Sequence, residues 1–321
     1  MLALTENKKS NMMISQNFGA NLLNNFFAFL DTSEKTISTY RRALKQFFKF
    51  LADNGIKFPS YDSIINFKKS LQAAGRKATT ISLYLASIRR FFSWTEQRGI
   101  YPNISNGVKS PRLDKGFKKD FLGATQLKNI IADMPHNSLE EKRNFAIFSL
   151  ISACGLRTIE IVRANIEDLR NVGDVSCLFI QGKGKQSKSD FVKIESPILK
   201  AIKDYLSARG QVRESDPLFT STSNRNNGSR LTTRSVSGIC KRAMRAAGFD
   251  SPRLSAHSLR HSAVTLSLLN GARLDDTQSF ARHESLSTTQ IYSHAINRLN
   301  SPCEHLICKA IFGDYKTDTP N

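Results

Sequence analysis

A tyrosine near the carboxyl end of the chain, Tyr292, follows a set of basic side chains suited to holding phosphate. His283 lies nine residues before it, and a His257-Ser258-Leu259-Arg260-His261 segment lies further upstream. A tyrosine hydroxyl becomes an effective nucleophile beside groups that accept its proton and neutralise the charge that develops. The residue types and their order therefore predict a nucleophile directed at a phosphodiester.

Cleavage of a phosphodiester by a side chain makes four demands. The nucleophile must stand in line with the leaving oxygen, and cations must neutralise the non-bridging oxygens. An acid must protonate the departing alkoxide, and a base must accept the proton of the nucleophile. The chain offers a candidate for each without a metal ion or cofactor. The candidate catalytic residues are Arg157, Lys183, His257, Arg260, His283 and Tyr292.

Two of these candidates occupy turns between predicted elements. Gly155 is expected to end one helix, so that Arg157 begins the next, where backbone N–H groups and a forked guanidinium both favour a phosphate. Glu160, three residues on, can hold that guanidinium or cap the helix. Lys183 lies in a Gly-Lys-Gly-Lys turn over 182–185, from which an ammonium can reach a leaving 5′ oxygen. An exposed arginine and a solvated hairpin are the ordinary alternatives.

The histidines belong to the last third of the chain. His257 and Arg260 are three residues apart at the start of a helix that Ser255 can cap, so they share a face from which to contact phosphate or Tyr292. His283 is expected to donate to a phosphate oxygen, and His261 is interpreted as a packing residue. A structural role is the common alternative for each histidine, and burial of the ring is the common alternative for Tyr292.

The elements that must position these side chains fall into two groups. Residues 18–99 show four helical patterns, at 18–30, at 36–54, from Ser60 to Gly75 and from Thr79 to Gly99. Residues 120–312 predict helices at 125–133, 139–154, 158–164, 197–209, 233–247, 255–269, 274–280 and 287–296. A hairpin of two strands is expected at 175–181 and 190–195. The fold class is therefore mainly α with a small β-sheet or hairpin.

The predicted domains follow from this pattern: a tail at 1–17, a four-helix domain at 18–102, a basic linker at 103–119, a mixed α/β domain at 120–312 and a tail at 313–321. Basic side chains recur four residues apart on the helix at 36–54 and beside the apolar face of the fourth helix. The candidate contacts to a DNA backbone are Arg41, Lys45, Lys49, Arg89, Arg90 and Arg112. A solvated helix face is the alternative for these residues.

Composition limits the partner. The 321 residues include 47 Lys and Arg against 27 Asp and Glu, a formal charge of +20. Such an excess favours a polyanion, and nucleic acid is preferred to a membrane because the basic residues are spread along the whole chain. No apolar run approaches the roughly 18 residues that span a bilayer. We expect a cytoplasmic protein associated with the nucleoid.

The five scattered cysteines do not indicate structural disulfides. Cys303, His305 and Cys308 invite comparison with a zinc site, but no second pair of ligands exists elsewhere in the sequence. A carboxyl-terminal helix with free thiols is the preferred interpretation, so we predict no metal site.

Together, the order Arg157, Lys183, His257 with Arg260, His283 and Tyr292, preceded by a small helical domain, resembles the tyrosine recombinase or phage integrase family. The resemblance covers most of residues 18–312 and is greatest to its two-domain form, as in Xer recombinases and integrases of mobile elements. It implies a SAM-like core-binding domain and a catalytic domain that close as a clamp around duplex DNA at specific core sites.

The resemblance also implies the chemistry. Tyr292 would form a 3′-phosphotyrosyl link, Arg157 and Arg260 would balance charge, and Lys183 would protonate the 5′ oxygen. His257 would act as acid and base, and His283 as a hydrogen-bond donor. Neither ATP nor a metal would be needed. Four protomers, joined through the apolar carboxyl-terminal segment, would exchange strands through a Holliday junction. Docking of that segment on its own domain is the alternative.

One departure from the family pattern concerns the residues before His283. Members commonly carry Leu-Gly-His, whereas this chain has Ala281-Arg282-His283. The expected biological roles are integration and excision of a mobile element or resolution of chromosome or plasmid dimers. The alternatives are a DNA-relaxing enzyme of the type IB kind and a DNA-binding regulator without catalysis.

Overall fold

The structure is a computed structural model that describes residues 16–113, 120–182, 184–299 and 301–313. The chain forms two compact units, Met1–Lys115 and Gly116–Asn321. The first is wholly helical in its described part, and the second adds one small sheet. None of the described helices combines the length and the hydropathy that a membrane-spanning segment needs.

The first unit is built from four helices around an aromatic core. They are α1 (Gln16–Phe29), α2 (Glu34–Asp53), α3 (Tyr61–Ala73) and α4 (Ala78–Gln97). The Ser33 side chain accepts a hydrogen bond from the Thr36 backbone N–H and thereby fixes the start of α2. Tilted and edge-to-face ring contacts hold the helices together, among them Phe47 against Phe92 with centroids 6.1 Å apart.

The segment that follows α4 remains attached to the first unit as far as Ser110. Val108 is buried in the aromatic core. The Arg89 guanidinium donates to the Val108 carbonyl at 2.7 Å and to Ser110 Oγ at 3.0 Å, and Lys68 Nζ donates to the Lys109 carbonyl at 2.9 Å. Residues 103–110, which the sequence places in the basic linker, therefore pack against the helices, whereas residues 114–119 lie outside the described part.

The helices of the second unit surround α6. They are α5 (Ala124–Asp133), α6 (Leu139–Cys154), α7 (Thr158–Arg163), α8 (Ser196–Arg209), α9 (Thr233–Ala246), α10 (Ala256–Leu269), α11 (Leu274–Ala281), α12 (Leu286–Leu299) and α13 (Cys303–Phe312). Ser138 and Glu141 form a capping box at the start of α6. This helix is apolar on most of its surface because α8, α9 and α10 all pack against it.

The sheet has three antiparallel strands in the order β1 (Leu169–Val172), β2 (Val175–Ile180) and β3 (Asp190–Lys193). Ile180 pairs with Asp190 at the end from which the turn containing 181–189 leaves. The predicted fold class, mainly α with a small sheet, is therefore confirmed, and so is the predicted hairpin, which corresponds to β2 and β3. The first strand was not predicted.

Candidate functional site

Arg157 is placed by the sharp end of α6. Gly155 ends that helix with φ 58°, in the left-handed region, and a Cβ added there would stand 3.1 Å from the Phe280 ring. Glycine meets both demands, because it adopts this conformation without strain and leaves room for the ring. Arg157 then becomes the N-cap of α7, as the sequence predicts.

A buried carboxylate holds the Arg157 guanidinium. Glu160 is fully buried, and its Oε1 accepts from Arg157 Nη1 at 2.8 Å. Its Oε2 accepts from the Arg157 backbone N–H at 2.8 Å, so both suggested roles of Glu160 are realised. Arg157 Nη2 donates to the Arg282 carbonyl at 3.1 Å. About a quarter of the Arg157 side chain, 28%, remains exposed and can face an anion.

Arg260 forms an arginine cluster with Arg157 and Arg282. It is the most buried of the three, with 3% exposure. It rises from α10 and donates through Nη1 to the Gly155 carbonyl and through Nη2 to the Ala281 carbonyl. Burial, together with the positive charges of Arg157 and Arg282, lowers its pKa to about 9, while Glu160 opposes that shift. The guanidinium therefore stays protonated at neutral pH in an environment with more positive than negative charge.

Tyr292 lies on α12 beside this cluster, and 5% of it is exposed. Its ring packs with Val264 and Ala281. Burial raises the pKa of its hydroxyl to about 12, while Arg260 and Arg157 oppose that rise. The phenol is therefore protonated at neutral pH, and its proton must leave when the oxygen attacks.

The hydroxyl of Tyr292 forms a hydrogen bond with His261 Nδ1. This contact corrects the interpretation of His261 as a packing residue. The His257 ring stands edge-on to the His261 ring with centroids 4.3 Å apart, because residues four apart on α10 share a face. The two imidazoles form a chain that begins at the tyrosine hydroxyl and ends at the exposed His257.

His283 completes the group on the other side of the tyrosine. Its ring is nearly parallel to that of Tyr292, at 19° and with centroids 6.1 Å apart. Its Nδ1 is 2.9 Å from Thr289 Oγ1, and its carbonyl accepts from Gln278 Nε2 at 3.1 Å. Burial, together with the charges of Arg260, Arg157, Arg282 and His257, lowers the pKa of His283 to about 4.

This pKa sets a pH dependence of stability. The folded pKa of His283, about 4, lies below its ordinary value of 6.5. Between these values the unfolded chain binds a proton that the folded chain does not bind. The contribution of neutral His283 to the free energy of unfolding should therefore be fully present above about pH 6.5 and be lost as the pH drops toward 4. Urea unfolding at pH 7 and pH 5 should show a larger loss in the wild type than in His283→Asn. Equal losses, with an imidazole midpoint near 6.5 by NMR, would contradict this prediction.

Lys183 lies outside the described residues. Its neighbours Gly182 and Gly184 line an open cleft, about 1000 Å³ in volume, together with Arg157, Arg282 and His283. In the same turn Lys185 Nζ pairs with Asp190 Oδ2 at 2.8 Å. The cleft therefore brings the glycines of this turn to the arginine cluster.

The DNA-contact candidates lie in the first unit, and most are exposed. Arg41, Lys45, Lys49, Arg90 and Arg112 face solvent. Arg41 also lies over the Phe27 ring at 4.3 Å, and Lys49 pairs with Asp53 at 3.0 Å. Arg89 is half-buried and is committed to the Val108 carbonyl, so its contacts indicate a structural role.

The described residues contain no group of three or more His, Cys, Asp or Glu side chains that could hold a metal ion. Sequence reasoning missed two participants. His261 could have been found from its i+4 spacing to His257. Arg282, which enters the arginine cluster from the end of α11, gives no helical or strand pattern that would place it there.

Comparison with known proteins gives matches over both units. Residues 120–298 match the phage integrase family, and residues 23–99 match the phage integrase N-terminal SAM-like domain. A tyrosine recombinase XerD of Oceanobacillus iheyensis is 30% identical over 85% of this chain and 93% of its own length. A tyrosine recombinase XerC of Corynebacterium glutamicum is 31% identical over 70% of each chain.

Solved structures share the fold. The post-cleavage complex of the XerH site-specific recombinase with a palindromic difH substrate has a TM-score of 0.69 at 22% identity, over 84% of this chain and 80% of that one. A lambda integrase dimer bound to a COC′ core site has a TM-score of 0.65 at 17% identity, over 84% of this chain and 96% of that one.

Proposed function

This chain belongs to the phage integrase family and is an Xer-like tyrosine recombinase, and from that premise we propose that it cuts and rejoins DNA at specific sites through Tyr292. The observation that carries the proposal is the Tyr292 hydroxyl, hydrogen-bonded to His261 Nδ1 beside the Arg157 and Arg260 guanidiniums. A phenol that serves only packing has no need of two neighbouring guanidiniums and an imidazole chain. The XerH and lambda integrase structures that share this fold were solved with DNA.

In the proposed step, one bond to phosphorus forms and one breaks. Tyr292 Oη attacks the phosphorus and its proton passes to His261 Nδ1. The bond from phosphorus to the 5′ oxygen breaks, and that oxygen takes a proton from Lys183. Arg157 and Arg260 neutralise the non-bridging oxygens, which is the electrostatic support that such a transition state needs. Attack by another 5′ hydroxyl reverses the step, so two exchanges between paired duplexes pass through a Holliday junction.

The histidines divide between proton transfer and binding. His261 accepts the phenolic proton because its Nδ1 touches the hydroxyl, and His257 extends this route to solvent. His283, neutral at pH 7 because of its lowered pKa, donates one N–H to a phosphate oxygen and adds no charge. This division assigns His257 a less direct role than the resemblance implies.

The proposal is tested by covalent capture. The full chain is incubated with nicked duplexes of randomised sequence, in which cleavage releases a short fragment and prevents rejoining. A protein–DNA adduct that survives denaturation and enriches one sequence supports the proposal. Adducts without sequence preference, with relaxation of supercoils, support the type IB alternative. A footprint without an adduct supports the regulator.

Lys183 gives a sharper chemical test of the leaving step. Lys183→Ala should lower the cleavage rate by about 100-fold or more, the scale of general acid catalysis. A scissile 5′-bridging sulfur, which leaves without a proton, should restore most of that rate. Lys185→Ala in the same turn is the control and should show no such rescue. If the sulfur substrate does not restore the rate of Lys183→Ala, Lys183 is not the acid that protonates the leaving oxygen.

The helix α13 is the proposed contact between protomers. Its apolar side chains are unusually exposed, from 58% for Leu306 and Ile307 to 66% for Ile311 and 75% for Phe312. Contiguous exposed apolar surface of this kind marks interaction sites. We propose that α13 docks on a neighbouring protomer within a tetramer on two DNA sites.

Replacing Ile311 and Phe312 by serine should therefore abolish the paired-site complex in sedimentation or native gels while single-site binding persists. Val172→Ser removes an exposed apolar residue, 47% exposed on β1, and should leave the paired complex intact. A tetramer that survives the double serine variant would exclude α13 as the contact.

A further inference from the structure

Arg282 has a backbone conformation that its residue type disfavours. It follows α11 with φ 52° and ψ 47°, and within the described residues it is the one non-glycine residue with positive φ. The left-handed region costs energy for a residue with a Cβ, whereas glycine enters it freely. The arginine here therefore stands against the local backbone preference, which points to a role for its side chain.

The Arg282 guanidinium reaches the carboxylate that holds Arg157. Its Nη2 is 3.0 Å from Glu160 Oε2 and 3.0 Å from the Gly155 carbonyl, and its Nη1 donates to the Phe280 carbonyl at 2.6 Å. The side chain is 9% exposed. Glu160 thus serves as the counterion of two arginines, since its other oxygen binds Arg157 Nη1.

The cluster consequently carries more positive than negative charge. Three guanidiniums, those of Arg157, Arg260 and Arg282, surround the carboxylate of Glu160. Asp190 also acts on Arg282, but its carboxylate is paired with Lys185. The buried Nε of Arg282 has no hydrogen-bond partner among the described residues. Burying excess like charge is unfavourable unless an ion of opposite sign compensates it. A bound phosphate group would supply that compensation.

We propose that Arg282 is a positioning residue of the anion site. Because Glu160 is shared with Arg282, it neutralises the Arg157 guanidinium less completely, and Arg157 attracts a phosphate more strongly. Its backbone carbonyl also receives Arg157 Nη2, but a glycine at the same position would keep that carbonyl in place. The guanidinium therefore supplies charge, at the expense of stability in the protein without anion. That the anion is a DNA phosphate rests on the proposed function.

The alternative is that Arg282 simply fastens α11 to α7. The two roles differ in their effect on stability. Removing a stabilising link between the helices lowers the melting temperature, whereas removing one of the excess positive charges of the cluster from a strained backbone position does not. Arg282→Gly is the informative variant because glycine adopts the observed backbone.

The experiment measures the melting temperature of the full chain against inorganic phosphate concentration. Arg282→Gly without phosphate should melt at the wild-type temperature or up to about 4 °C above it. Its apparent Kd for phosphate should rise about tenfold, and Arg282→Lys, which keeps the charge, should recover most of the affinity. Arg273→Gln removes an exposed arginine, paired with Asp275, at the other end of α11 and should change neither quantity.

A lower melting temperature of Arg282→Gly with unchanged phosphate affinity would identify a fastener and overturn the proposal, as would a wild type whose melting does not respond to phosphate. With a captured duplex, the adduct should form about tenfold more slowly in Arg282→Gly. If the wild type forms no adduct on any duplex but Arg282→Gly still loses phosphate affinity, the proposed function fails and the role of Arg282 stands.

Discussion

Tyr292→Phe should bind the nicked duplex that the wild-type protein selects with wild-type affinity, but it should form no covalent adduct with it. The substitution removes one oxygen and keeps the ring between Val264, Ala281 and the histidines. Loss of a nucleophile lowers the rate of a covalent step by about 10⁴-fold or more. Quantifying adducts on denaturing gels after incubation with the nicked duplex measures this effect.

Tyr205→Phe is the matched control. Tyr205 is also buried, and its hydroxyl contacts Thr220 Oγ1 at 3.1 Å in the core of the second unit. Loss of this hydroxyl should lower the free energy of unfolding by about 1 kcal/mol. Adducts should still form at about the wild-type rate. Adducts of Tyr292→Phe at the wild-type level would show that another side chain attacks the DNA.

Glu160→Gln should have the largest effect on stability. The substitution preserves the shape of the side chain but leaves the Arg157 and Arg282 guanidiniums without a carboxylate. Breaking a buried ion pair by removing one partner costs about 3–5 kcal/mol. Because Arg157 is partly exposed, the expected loss of stability is about 3 kcal/mol. The melting temperature should fall by roughly 6–12 °C.

Two further variants check the origin of this loss. Glu167→Gln removes an exposed carboxylate near α7 and should change stability by less than about 0.5 kcal/mol. Combining Glu160→Gln with Arg282→Gly removes one of the two uncompensated charges and should recover at least about 1 kcal/mol. A full loss that persists in the double variant would contradict the charge argument.

The sequence predicts the helices well because their apolar periodicity is strong. The helix expected at 139–154 is observed as Leu139–Cys154, since a capping serine precedes it and Gly155 ends it. The strand Leu169–Val172 was missed because its Leu-Arg-Asn-Val sequence has no apolar alternation and its residues are mostly exposed. This segment is a strand because its backbone pairs with β2, and its own sequence pattern does not indicate one.

The candidate site was predicted in its residue types more than in its contacts. The structure brings Arg157, Arg260, His283 and Tyr292 together, although the first and the last are 135 residues apart in the sequence. Their contacts depend on how α6, α10, α11 and α12 pack. For that reason neither the bond from His261 to Tyr292 nor the insertion of Arg282 beside Glu160 could be inferred from spacing alone.

The most direct measurement is the mass of the modified peptide. Trypsin should release residues 283–298, in which Tyr292 is the one tyrosine. After capture on the nicked duplex and digestion of the DNA, fragmentation should locate a nucleotide 3′-phosphate on Tyr292. A nucleotide on any other side chain, or an unmodified peptide from a purified adduct, would contradict the account.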